Sequence, residues 1–312
     1  MRRLSLLILV AALSLFACAC KKEAAVETMA YDAQAYAGFR DTLLYYASDE
    51  GLLVPFMRQI PWEEGIGKAA LGYLVDTEEN RAVLQRYGLR APLPDGTAIR
   101  LRIDDNKQAT VELSSCAPPD DAAQEYMRIA SVVNTLTEFP TIDTVSVNVN
   151  GEPIDRFATD SDSAMSAFAL NAEDSAAPTS TGALHAMTLY FPNASASLNV
   201  PVTRYQRVQP TFASAVQGLI DGPQSSALTA CFPTGTALLD ATIEDGAATV
   251  NFSKEFALAT ETDGLLEAAR DTLYFTACGF TDVQTLDILV EGEPLAADAA
   301  AVSLPLYPNR LE

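Results

Sequence analysis

The sequence carries one pattern twice, and this internal repeat restricts the fold more than any other feature. Six short matches occur in the same order in the two halves of the 312-residue chain, with only small changes in offset. The matched segments are residues 44–46 with 189–191, 54–58 with 200–204, 70–76 with 215–221, 94–97 with 233–236, 109–114 with 248–253 and 149–153 with 290–294. They indicate two copies of one domain, at residues 39–156 and 184–295.

Each copy mixes helical and strand patterns. In the second copy, apolar residues recur at helical spacing over residues 212–220, after a helix start at Pro210 or Thr211. Asp245-Gly246 separates two β-prone runs and is a strong tight-turn signal, and Asp263 is placed to cap a second helix. The order β(β)αββαβ predicts an α+β fold, in which the small sheet of each domain carries two helices on one face.

The remaining segments are shorter and less apolar. Residues 157–183 are rich in Ser, Asp, Ala and Thr, which predicts a solvated linker. Residues 296–312 form a tail, and the first copy has a longer loop than the second, from Thr77 to Arg90. Within the second copy we expect Leu219 and Phe252 to be buried.

The N-terminal segment has the features of a bacterial lipoprotein signal. Arg2 and Arg3 precede an apolar stretch, residues 4–16, that is too short for a hydrocarbon core of roughly 30 Å but typical of a signal peptide. Leu15-Phe16-Ala17-Cys18 resembles a lipobox, which predicts removal of residues 1–17 and lipidation of Cys18, with Cys20 as the second choice. Residues 18–38 are then a tether, and the chain is anchored on the outer face of the cytoplasmic membrane. An ordinary cleaved signal is the alternative.

Charge and composition exclude several classes of function. The formal net charge is −21, which argues against nucleic acid as a partner because phosphate binding needs a basic surface. The chain has one histidine, His185, and it contains no nucleophile elbow and no paired Cys and His spacing. We therefore expect no catalytic residue, no metal site and no cofactor.

Cysteines and aromatic residues leave alternatives open. Export permits disulfides, so Cys231 and Cys278 of the second copy either form a bridge or remain free thiols, and Cys116 is then unpaired. Four aromatic residues surround the first strand and helix of the first copy. These residues are Tyr45, Tyr46, Trp62 and Tyr73. They either pack in the core and at its rim, or form an exposed face that stacks on a ligand or anchors an interface.

The repeated motifs resemble the GerMN domain family. The second copy carries Leu-Tyr-Phe at 189–191, Val-Pro-Val-Thr-Arg at 200–204, Pro-Thr-Gly-Thr at 233–236, Ala-Thr-Val-Asn-Phe-Ser at 248–253 and Glu-Gly-Glu-Pro at 291–294. The first copy departs more, with Tyr46-Ala47 for Phe-Pro and Glu112-Leu113 for Asn-Phe. The resemblance implies a ring-building-motif-like fold and an envelope lipoprotein of spore-forming bacteria. It carries over no catalytic residues.

The resemblance also sets the expected function. It implies a role in sporulation or germination, and in one member of the family a supporting role for the channel complex between mother cell and forespore. We therefore expect a non-enzymatic, membrane-tethered scaffold or adaptor that binds envelope or sporulation-channel proteins. Assembly of the chain into an oligomer is a further option. Two alternatives stay open: a regulatory lipoprotein acting on a sensor kinase, and a cell-wall hydrolase or binder.

Overall fold

Each repeat begins with an antiparallel β-hairpin. In the first repeat β1 (Phe39–Ser48) pairs with β2 (Leu53–Pro61), and in the second β8 (His185–Pro192) pairs with β9 (Asn199–Gln206). These elements come from a computed structural model, which describes residues 38–158, 163–173, 183–195, 197–295 and 304–310. The signal peptide, Cys18, Cys20 and most of the tether lie outside the described residues.

A four-stranded sheet follows in each repeat, with the same strand order. The first sheet contains β4 (Ala98–Ile103), β5 (Gln108–Ser114), β6 (Thr144–Val149) and β7 (Glu152–Pro153), in that order. The second contains β10 (Leu238–Glu244), β11 (Ala247–Phe252), β12 (Thr285–Val290) and β13 (Glu293–Pro294). The central pairs, β5 with β6 and β11 with β12, are parallel, and their neighbours are antiparallel. The predicted α+β class is confirmed, with the strands of each repeat divided between a hairpin and a sheet.

Helices connect these strands in the predicted places. A short helix follows each hairpin, α1 (Ile66–Gly72) in the first repeat and α4 (Phe212–Ile220) in the second. A longer helix makes the crossover that two parallel strands require, and these helices are α3 (Ala122–Thr137) and α5 (Leu265–Cys278). Helix α3 contacts both β1 of the hairpin and β6 of the sheet, so it joins the two layers.

The longer loop of the first repeat contains structure of its own. It forms α2 (Glu78–Leu84), a 3₁₀ turn (Gln85–Tyr87) and the two-residue strand β3 (Leu89–Arg90). Strand β3 pairs with the end of β1. The second repeat has a second 3₁₀ segment, Lys254–Glu261, between β11 and α5.

Local signals explain most helix starts. Thr211 caps α4 in a capping box with Ser214, and Asp121 caps α3 by accepting a hydrogen bond from the Gln124 N–H. Asp263 does not cap α5, so that prediction is wrong. Gly264 is the N-cap residue, with a φ of 73° that favours glycine and with no side-chain cap.

Polar side chains of the long helices hold the hairpins. Tyr45 N–H donates to Thr135 Oγ1 at 3.1 Å, and Ser131 Oγ donates to the Tyr45 carbonyl at 2.7 Å. In the second repeat Tyr190 N–H donates to Thr276 Oγ1 at 3.2 Å. Backbone groups of β1 and β8 that have no neighbouring strand at these positions are thus hydrogen-bonded to hydroxyl groups of the helices.

The hydrophobic core runs through both repeats. Leu219 and Phe252 are fully buried, as predicted. Phe252 stacks on Phe256 with ring centroids 4.4 Å apart, and Phe232 packs against both rings. Apolar burial of this kind is the main favourable contribution to folding.

The described part of the segment between the repeats packs against both of them, which differs from the solvated linker that its composition predicted. Met165 is buried and pairs with Val145 of β6 through two backbone hydrogen bonds of 2.9 Å. Glu173 forms a buried ion pair with Arg204 of β9 at 2.5 Å. Residues 163–173 therefore contribute a buried apolar side chain to the first repeat and a charged partner to the second.

Two asparagines join the repeats along their contacting strands, β2 and β9. Asn171 accepts a hydrogen bond from the Leu53 N–H and donates to the carbonyls of Leu53 and Pro201. Asn309 makes the equivalent set: it accepts from the Asn199 N–H and donates to the carbonyls of Asn199 and Pro55. These six distances lie between 2.7 and 2.8 Å.

The two asparagines are related by the repeat itself. Val54-Pro55 matches Val200-Pro201, so Leu53 corresponds to Asn199 and Pro55 to Pro201. Asn171 therefore joins Leu53 of the first repeat to Pro201 of the second, and Asn309 joins Asn199 of the second repeat to Pro55 of the first. Exchanging the two repeats exchanges these two contacts, so they are related by a local two-fold axis. We call this contact the asparagine joint, and it fixes the two repeats to each other.

Candidate functional site

A groove of about 650 Å³ lies on the first repeat and is the candidate binding site. One wall is built by the insertion from α2 to residue 94, and the opposite wall by residues 117–128 at the start of α3. The end of β1 closes one side. The insertion that distinguishes the first repeat is therefore what creates this groove.

The groove combines apolar walls with three arginines, Arg81, Arg90 and Arg128, and three aspartates, Asp76, Asp120 and Asp121. Its apolar lining consists of Ala47, Leu89, Ala91, Pro92, Leu93, Pro94, Ala117, Pro118, Ala123 and Met127. At the rim, Arg81 makes a forked ion pair with Asp76, with Nη2 2.8 Å from Oδ2, and Arg90 pairs with Asp49 at 2.9 Å. These exposed pairs contribute little to stability, because water and salt screen them.

Arg128 differs from the rim arginines because it is buried, with 4% of its surface exposed. Its Nη1 donates to the Ala117 carbonyl at 2.8 Å and to Cys116 Sγ at 3.3 Å, while its Nε has no hydrogen-bond partner. Within the described residues it forms no ion pair, so its charge meets neutral acceptors only. Asn150 holds this wall in place through two hydrogen bonds to the backbone of Cys116.

This arrangement is suited to binding an extended segment of a protein. A guanidinium that is shielded from water and has no charged partner favours a carboxylate or carbonyl close to it. Alanine and proline walls present apolar surface to side chains on either side of such a contact. Arg128 was not singled out by sequence reasoning, because its burial depends on the loop that follows β5.

The two cysteines of the second repeat are separate thiols. Cys231 is buried and its Sγ lies 3.2 Å from Thr272 Oγ1, and Cys278 is exposed at the end of α5. Thr272 and Cys278 are six residues apart on one helix, about 9 Å along its axis, whereas a bridge needs Cα atoms within about 7 Å. The candidate disulfide is therefore not formed in this structure. Burial raises the pKa of the Cys231 thiol to about 11, so it is protonated at neutral pH.

Three of the four aromatic residues named above pack into the fold. Tyr45 is buried and its hydroxyl donates to Glu138 Oε1 at 2.6 Å, while burial and then the Glu138 charge raise its pKa well above the usual value. Tyr46 is fully buried, and Tyr73 lies under the Arg58 guanidinium at 4.5 Å. Trp62 is the exception, with 59% of its surface exposed.

The remaining chemistry is sparse in the part of the chain that the structure describes. His185 is the first residue of β8 and lies opposite Gln206. No group of three or more His, Cys, Asp or Glu side chains in the described ranges is arranged to hold a metal ion. Among the helices of the described residues, none has the length and apolar character needed to cross a bilayer.

Fold and groove together define a class, a tandem-repeat α+β protein with a groove on its first copy. The family model described as "Germane: Sporulation and spore germination" matches residues 43–155 and 188–296. This match covers more than half of the chain, and the protein belongs to that family.

Two comparisons with known proteins agree with this assignment. The chain is 26% identical over 262 residues to the spore germination protein GerM of Bacillus subtilis (strain 168), which covers 80% of this chain and 71% of that protein. Its fold is similar to the solved structure of the tandem GerMN domains of the sporulation protein GerM from Bacillus subtilis, with a TM-score of 0.65 and 22% identity. That match covers 87% of this chain and 99% of the other.

Proposed function

We propose that this protein is a non-enzymatic scaffold or adaptor of the cell envelope that acts in sporulation or germination. It is held on the outer face of the cytoplasmic membrane through a lipid on Cys18, and it works by binding envelope or sporulation-channel proteins. Membership of the sporulation and spore germination family supports the process. The asparagine joint supports assembly, because its six hydrogen bonds hold the two repeats together.

The groove of the first repeat carries this proposal. Its buried Arg128 lies between apolar walls, which is the chemistry of a site that recognises a carboxylate within an extended apolar segment. We propose that a partner protein places such a segment there. Rim contacts then add little energy, and Arg128 with its neighbours determines binding.

The test is capture of partners by the tethered protein from sporulating and vegetative cells. Arg128→Met removes the charge at similar volume, and Ala123→Trp fills the groove from an exposed helix position. Arg102→Met, on the solvent face of β4, is the matched control. We expect a partner that the wild type and Arg102→Met capture and that both groove variants lose, with circular dichroism showing that all four proteins are folded.

Other outcomes separate the alternatives. Peptidoglycan cleavage that a single carboxylate substitution abolishes contradicts a non-enzymatic role and indicates a wall hydrolase. Capture of a sensor kinase in cells that do not sporulate indicates the regulatory alternative. Equal capture by the groove variants and the wild type removes the groove from the proposal.

A further inference from the structure

The open end of the first hairpin carries two large aromatic side chains that are exposed, one on each face of the hairpin. Phe39 lies opposite Pro61 in the register of β1 and β2, and Trp62 is the next residue after β2. Half of the Phe39 surface and 59% of the Trp62 surface are exposed. We call Phe39, Arg40 and Trp62 the aromatic end.

Arg40 adds a cation to the aromatic end. Its guanidinium carbon lies 5.7 Å from the ring centroid of Trp62 and 5.7 Å from that of Phe139. Both distances are within the range of a cation–π contact. The aromatic end therefore contains Trp, Phe and Arg, which are side chains found on protein surfaces that lie in the interface between lipid and water.

The second repeat provides an internal comparison. By the same register, Leu184, His185 and Val208 occupy the positions of Phe39, Arg40 and Trp62. Leu184 and Val208 are exposed as well, but they are aliphatic. The fold therefore does not require aromatic residues at these positions, and the aromatic side chains at the hairpin end are particular to the first repeat.

In the sequence, the aromatic end begins where the predicted tether ends. Phe39 is the residue that directly follows the predicted tether, residues 18–38, and a chain of that length spans at most about 75 Å when fully extended. We infer that the aromatic end contacts the lipid surface to which the protein is anchored. This inference rests on the proposed lipid anchor at Cys18.

Charge sets the depth of this contact. Glu63 and Glu64 follow Trp62 directly and are exposed, and the whole chain has a net charge of −21. Anionic headgroups therefore repel the protein, and the aromatic rings reach only the headgroup region. The contact is stronger on zwitterionic than on anionic vesicles at low salt, and the difference narrows as salt screens the repulsion.

The single tryptophan of the chain makes the test direct. The lipidated full-length protein is reconstituted into phosphatidylcholine vesicles with and without brominated acyl chains, which quench nearby indoles. We expect Trp62 emission to shift to shorter wavelength and to lose about half of its intensity with brominated lipid, as for a ring in the interfacial region. Phe39→Ser should weaken the quenching.

The matched control moves the tryptophan to the equivalent position of the second repeat, in the double variant W62F/V208W. We expect its emission to be unaffected by bromine. Equal quenching at both positions contradicts a specific contact of the aromatic end, and no quenching of Trp62 in protein that floats with the vesicles overturns the membrane contact. In that case, Trp62 emission that shifts to shorter wavelength only when an envelope protein is bound assigns the aromatic end to a protein partner. Protein that does not float refutes the anchor, and with it this inference.

Discussion

Arg58 and Arg204 occupy the same position in the two repeats, but different partners satisfy their guanidinium groups. The Arg204 guanidinium pairs with Glu173 at 2.5 Å and donates to the Gly218 carbonyl. Arg58 is buried without an ion pair among the described residues, and donates to Tyr46 Oη and Asn80 Oδ1 instead. A buried charge needs several such partners, so both sites depend on residues distant in sequence.

The ion pair of Arg204 leads to a prediction about Glu173. Its side chain is 6% exposed, so Glu173→Gln leaves a buried guanidinium uncompensated, and we expect a loss of about 3–5 kcal/mol in the free energy of unfolding. Urea denaturation measures this. Asp49→Asn, which breaks the exposed pair with Arg90, should change stability by less than about 1 kcal/mol. Equal effects of the two variants would contradict the burial argument.

Buried tyrosines predict how stability depends on alkaline pH. Burial raises the pKa of Tyr46 and Tyr190 to about 12, above the value of about 10 expected in the unfolded chain. A raised pKa in the folded state adds stability that is fully present below pH 10 and is lost as pH rises toward 12. Absorbance at 295 nm should show these phenols ionising together with loss of the circular dichroism signal. Ionisation of all tyrosines near pH 10 in a folded protein would disprove this prediction.

At the scale of elements, the close approach of α4 to β8 depends on one glycine. A Cβ at Gly218 would lie 2.8 Å from Leu189 Cδ1 and 3.4 Å from Arg204 Nη1. At the corresponding helix of the first repeat, Gly72 has no atom within 4 Å of such a Cβ. A side chain at position 72 thus has space, whereas one at position 218 meets the hairpin of its own repeat.

We expect Gly218→Ala to destabilise the protein by about 1–3 kcal/mol, because Leu189 and Arg204 must move. Gly72→Ala should be neutral or stabilising by up to about 1 kcal/mol, because alanine favours helices. Thermal unfolding of both variants distinguishes the two effects. A lower melting temperature for Gly72→Ala would argue against packing as the cause.

The sequence predicted features within single elements, such as helix starts and tight turns, but it did not predict the contacts between elements. Thr211 and Asp245-Gly246 are local signals, and both are confirmed, since caps and tight turns depend on residues within a few positions. Asn309 bonds to Pro55 across 254 positions, and its neighbours share no motif with those of Asn171. Arg128 likewise depends on tertiary contacts, so no sequence pattern marked the groove.

At the scale of the whole molecule, the asparagine joint makes the repeats one body. Asn309→Ala leaves the Asn199 N–H and the carbonyls of Asn199 and Pro55 without this partner, and each buried unsatisfied group costs about 1–3 kcal/mol. We expect a loss of about 3 kcal/mol and, in the double variant with Asn171→Ala, separate unfolding of the repeats in calorimetry. Asn106→Ala, in the exposed turn between β4 and β5, is the control. A single unchanged transition in the double variant would show that the core alone couples the repeats.

Anchoring is the second prediction at this scale. Cys18→Ala should release the protein from membranes and prevent removal of residues 1–17, because we propose that the lipid is attached to that thiol. Membrane fractionation with mass analysis of the mature N-terminus measures both. Unchanged processing and membrane attachment would assign the lipid to Cys20.

The position of Asn309 also has a consequence for biosynthesis. Each hairpin and sheet is built from nearby residues and can form as soon as its own repeat has emerged, since domains fold as units during synthesis. The contact between β2 and β9 lacks half of its amide bridges until residue 309 has been made. The amide bridges of Asn309 therefore cannot form until both repeats have been synthesised, whereas those of Asn171 need only the strands that flank residue 171.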